Sequence, residues 1–160
     1  MRYSLYVASA ADEQRAAFSW LLADHEAVRA RGVYLSHGER RLDGNYCGHV
    51  ALQRALREAA RQEGVIQLHV LLDETVADAI GYELLDVTAA LYPSLCQTTR
   101  RVMRRFDLCE LAAFKRDEDA TPHEIAALDD AVDALEQARS ISGRLRLWAG
   151  VLLNPTKIIR

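Results

Sequence analysis

Two adjacent carboxylates, Asp73 and Glu74, close the otherwise apolar run "QLHVLLDET", Gln67 to Thr75. A carboxylate at the tip of a buried strand is costly unless it caps a helix, holds a cation or serves a reaction. Capping suits Asp73, because a short helix is expected from Thr75. The histidines offer less: His25, His37, His49 and His69 show no H-x-x-x-H spacing, and His123 follows Pro122 at an expected helix start. Cys47, Cys96 and Cys109 are odd in number and lack a C-x-x-C pair. That pattern speaks against a disulfide framework or a zinc site and fits a reducing, cytoplasmic setting.

The most basic stretch is "TTRRVMRRFD". On a helix, Arg100, Arg101, Arg104 and Arg105 share one arc, while Leu95, Val102 and Phe106 take the other side. In a chain of net charge −3 these four arginines form a local positive patch suited to phosphates. Arg40 and Arg41 with Asn45 extend it, but no aromatic residues interleave the four arginines to signal base stacking.

Which elements would hold these residues? "RYSLYVAS", "AAFSWLLAD" and "ARGVYLSHG" read as three successive strands. From Tyr46 to Glu63, Leu52, Ala55, Leu56, Ala59 and Ala60 recur at helical spacing, and Gly64 ends the helix. Val65 to Leu72 reads as an interior strand, followed by a short helix over Thr75–Ile80. A helical region over Glu83–Phe106 should be broken by Pro93, and "LCELAAFK" makes a fifth strand. A last helix opens at Thr121-Pro122-His123-Glu124 and carries Ile125, Leu128, Val132, Leu135 and Ala138 on one stripe. Three sequential strands predict an antiparallel meander, and the two later strands must return across helices as parallel neighbours. The expected fold is an α/β five-stranded mixed sheet flanked by helices. With 160 residues, 50% of them apolar and 27% charged, a single soluble domain is expected. No run approaches the roughly 18 apolar residues of a membrane span, and the N-terminus lacks a signal-peptide pattern.

This order of elements resembles the ribonuclease H family, and so does the local wording. "GNYCGHVALQRAL" is similar to the family's opening of the first helix, "HVLLDETVADAI" to the end of its fourth strand, and "FKRDEDATPHEIAAL" to the entry of its last helix. The resemblance covers about residues 1–140 and implies a ribonuclease-H-like domain over 1–142, with 143–160 as an extension. It also implies two Mg²⁺ ions about 4 Å apart held by acids, which hydrolyse a phosphodiester. Residue by residue, the family's acids fall on Ala8, Gly48, Asp73 and His123, with Asn45 matching the asparagine of the first helix and Asp119 the asparagine before the last. Only one of the four acids survives.

The resemblance therefore implies a nucleic-acid-binding module with a degenerate active site, able to hold Mg²⁺ or Mn²⁺ only weakly, at Asp73 and Asp119. The alternatives are an active nuclease for RNA–DNA hybrids, with Asp73 as its metal ligand and other acids recruited around it, and a dimeric protein-interaction scaffold. The apolar tail, with Leu145, Leu147, Trp148 and Val151, is expected to fold back on the domain or to make a homodimer contact.

Overall fold

The computed structural model describes residues 1–64, 67–115 and 117–153. Strands β1 (Arg2–Ala11), β2 (Ala16–Ala23) and β3 (Val28–Leu35) form the antiparallel meander. Helix α1 (Gly44–Ala59) then carries the chain to β4 (Gln67–Leu72), which lies parallel to β1, and β5 (Leu108–Ala113) lies parallel to β4. The sheet order is β3-β2-β1-β4-β5, three antiparallel and two returning parallel strands, as expected. Val65 and Ile66, assigned above to β4, lie outside the described residues.

The strands' alternation sorts side chains to two faces. Leu5, Val7, Trp20 and Leu22 meet Leu52, Ala55 and Leu56 of α1 on one face. Each such buried leucine is worth about 2 kcal/mol in transfer free energy. Gly32 lets Trp20 lie across β3, since a Cβ there would sit 2.3 Å from the indole. On the other face, Tyr6, Ala8 and Leu21 meet α5 (Pro122–Ala138).

The helical region over Glu83–Phe106 is divided as expected, with Pro93 at the start of the second α-helical piece, α4 (Pro93–Met103), where proline's missing N–H is harmless. Before it, the chain runs from α2 (Glu74–Val76) through a π-helical turn, Ala77–Gly81, into α3 (Tyr82–Leu85). The stripe of α5, by contrast, is rotated. Ala127, Ala131, Ala134, Leu135 and Ala138 face the sheet, while Ile125 and Val132 are 49% and 45% exposed. Small residues win because α5 lies close against Ala8, Ala10 and Ala17, and the Ser19 hydroxyl donates to the carbonyl of Ala127.

The α5 start is as expected. Thr121 and Glu124 form a reciprocal capping box with Pro122 at the first helical position. The boundary drawn at 142/143 falls inside α6 (Ile141–Leu153), which packs on α5; Leu147 joins the Ala17–Ala134–Leu135 cluster, while Leu145 is exposed. The side chains of Trp148 and Val151 lie outside the described residues. Among the described residues no helix is long and apolar enough to cross a membrane.

Candidate active-site cleft

Asp73 follows the C-terminal end of β4, beside the end of β1, and its backbone N–H donates to Val7 O at 2.9 Å. Its side chain is 5% exposed, so both oxygens need partners, and both have them. Oδ1 accepts from Val76 N at 2.7 Å, the N-cap of α2, and Oδ2 accepts from the amide and hydroxyl of Ser9 at 2.5 and 2.9 Å. Burial, with Glu74 alongside, raises the Asp73 carboxyl above the ordinary value despite these bonds. The capping expectation holds, and it comes with a strap to β1 that the sequence reading missed. Its only signal was a serine next to Ala8.

The cleft around this carboxylate measures about 670 Å³. Glu74, Asp78 and Lys115 line it, together with Glu124. Glu124 is committed elsewhere: it accepts from Lys115 N and Thr121 N at 3.0 and 2.5 Å. These backbone donors outweigh burial and hold its carboxyl below the usual range.

Of the other positions given by the resemblance only Asp119 carries a carboxylate, and it does not line the cleft. Ala8 is fully buried between Tyr6 and α5. Gly48 abuts the π-helical turn, and a Cβ there would lie 3.2 Å from Ile80, so a glutamate has no room without repacking. His123 is half-buried with its ring 5.5 Å from Tyr6, and Asp119 is exposed in the 3₁₀ turn Asp117–Asp119. Neither lines the cleft. Among the described residues no three His, Cys, Asp or Glu side chains converge as a metal site. Two divalent ions held close need several free carboxylates, and this donor set does not fit them.

Asn45 was expected at the nucleic-acid surface. Its amide instead donates inward to Ala79 O at 2.9 Å and to Glu83 Oε1 at 2.5 Å. Glu83 also accepts from Leu91 N at 3.2 Å and lies 3.0 Å from His49 Nε2. On the other side of the ring, His49 Nδ1 lies 3.0 Å from the Thr99 hydroxyl, to which Gln53 donates at 3.1 Å. A neutral His49 with its proton on Nε2 completes this chain, in keeping with burial holding the imidazole below 6.5. Burial works against ionisation of Glu83, but its donors prevail and keep the carboxyl low. No sequence spacing announced this network.

The arginines occupy the opposite end of the sheet. α4 leads into β5, whose first residue, Leu108, pairs with Gln67 at the start of β4, whereas Asp73 follows the end of β4. Six strand residues, about 20 Å, separate the two ends. Arg101, Arg104 and Arg105 are exposed and Arg100 half-buried, with Val102 and Phe106 in the core as expected.

Neither a family model nor any curated protein matches the chain in sequence. Solved structures do. The ribonuclease H1 of the halophilic archaeon Halobacterium salinarum NRC-1 is similar with 21% identity and a TM-score of 0.60, covering 83% of this chain and 98% of that one. LC11 ribonuclease H1, solved in complex with an RNA/DNA hybrid, aligns at 13% identity and TM-score 0.60 over 86% of this chain and 99% of its own. The foamy viral protease-reverse transcriptase, solved with double-stranded DNA, aligns at 11% identity and TM-score 0.57 over 82% and 91%. Together with the β3-β2-β1-β4-β5 sheet and its flanking helices, these likenesses show that the chain has a ribonuclease-H-like fold.

Proposed function

We propose that this domain binds an RNA–DNA hybrid or another nucleic-acid duplex without carrying out two-metal hydrolysis. The observation that carries the second half is that both oxygens of Asp73 already hold donors from Ser9 and Val76, with Ala8 and Gly48 where further acids would stand. The first half is supported by the fold and by two structural neighbours held with an RNA/DNA hybrid and with double-stranded DNA. The acidic cleft repels phosphates, so the contact is assigned to Arg100, Arg101, Arg104 and Arg105, of which Arg100 also acts on the Asp86 carboxylate. Each phosphate contact contributes about 0.9 to the slope of log affinity against log salt.

Fluorescence anisotropy with a labelled hybrid tests the reading. Reversal of the four arginines to glutamate should abolish binding; unchanged affinity and salt slope would sink it. The rival reading is a hydrolase with rearranged carboxylates, favoured by the exposed Glu74 and Asp78 beside Asp73; Asp43, Asp119 or His123, none of which lines the cleft, would have to move in. Cleavage of the hybrid with Mg²⁺ or Mn²⁺ that disappears in Asp73→Asn would establish that rival instead.

A further inference from the structure

We propose that the edge of β3 is a docking groove for an extended acidic peptide, which adds as a sixth strand and sets a carboxylate on Arg54. The proposal is independent of nucleic-acid binding. Among the described residues β3 pairs only with β2, which leaves one side of its backbone open there. Ser36 N donates to Ala16 O at 2.8 Å, and antiparallel alternation from that pair turns Tyr34 and Gly32 toward β2. The N–H and C=O groups of Val33 and Leu35 therefore point outward, where a strand would pair with them.

The two halves of this edge differ. Arg29 and Arg31 sit on the first half and are tied to Asp24 and Asp130 at 2.6 and 3.2 Å, the charged guard that native edge strands commonly carry. Val33–Leu35 has no such guard. It floors a groove of about 280 Å³ walled by Tyr34 and Arg54 from the α1 side and by Arg144 and Leu147 of α6 from the other. The groove thus straddles the sheet edge between the two helical layers.

Arg54 supplies the charge preference. Its guanidinium lies 4.4 Å over the Tyr34 ring, is half-buried, and has no carboxylate partner among the described residues. Burial and the nearby Arg57 both disfavour its charge. A cation in that position gains most from an incoming carboxylate, and Arg144 opposite adds a second donor set. The mainly apolar lining suits β-branched side chains flanking that carboxylate and not a sugar-phosphate backbone.

The test is an NMR titration of the full chain with the peptide Ac-Val-Glu-Val-Glu-Val-NH₂ and its Gln-for-Glu counterpart. The acidic peptide should shift the Val33 and Leu35 amides saturably, and the Gln peptide should bind roughly tenfold more weakly. Arg54→Gln should lose a similar factor, and Arg144→Gln on the facing wall provides a second variant should Arg54→Gln fail to fold. Val33→Pro, which removes only an outward N–H, should block binding while leaving the circular dichroism unchanged. No saturable shift at millimolar peptide, equal binding of the two peptides, or displacement of the acidic peptide by a single-stranded oligonucleotide would overturn the proposal.

Discussion

Asp73 and Glu83 are two carboxylates buried almost equally, at 5% and 6% exposure, and they hold the molecule in different ways. Asp73 binds what the strand ends bring to it: its own helix start at Val76 and the neighbouring strand at Ser9. Glu83 collects donors from three directions, Asn45 and His49 on α1 and Leu91 ahead of α4. The first is an edge fixture beside an open cleft; the second is the polar centre of the α1–α3–α4 layer. Burial alone thus says little about a carboxylate's role, and the origin of its donors says more.

Breaking the interior site should have the larger effect. Glu83→Leu strands His49, Asn45 and the Leu91 amide, and should cost about 3–5 kcal/mol in chemical denaturation. Next comes Gly48→Glu, which forces a side chain onto Ile80 and buries a charge; a loss of about 3 kcal/mol is expected, with no added thermal stability on Mn²⁺ addition. A Mn²⁺-dependent rise in melting temperature would show that the cleft can be rebuilt as a metal site. Asp73→Asn is milder, about 1–2 kcal/mol, because one oxygen can still cap α2 while the Ser9 amide loses its acceptor.

The smallest effect separates the two sites by sign. Burial holds His49 below its ordinary 6.5, so the unfolded chain takes up a proton more readily than the folded one. Stability should fall as pH drops through 6.5, and His49→Gln should remove that slope. Asp73 is raised above 3.8, so its contribution is fully present below 3.8 and is lost as pH rises through its folded value. Denaturant titrations from about pH 7 to about pH 4 on wild type, His49→Gln and Asp73→Asn would resolve the opposing slopes. The same sign in both variants would contradict the distinction drawn here.

Much of the candidate site was legible because its signals are local. Asp73 caps the helix that follows it through the Val76 N–H three residues ahead, and Thr121-Pro122-His123-Glu124 builds the start of α5 from its own side chains. The inward bonds of Asn45 were not legible, since nothing near it in sequence reveals a partner 38 residues away at Glu83. The α5 stripe was misread for a related reason. Helical spacing shows that a face exists, but the closeness of the sheet decided that alanines, and not Ile125 and Val132, would fill it.

The sequence by itself determined the order of strands and helices and the mixed sheet, because periodicity, caps and residue identity are properties of short stretches. Only the tertiary structure decided that both oxygens of Asp73 hold protein donors, that Gly48 is closed off by Ile80, and that the arginines stand at the far end of the sheet from the cleft. Those facts depend on which backbones come close together, and closeness across the fold is set by packing and strand direction, which no single stretch encodes.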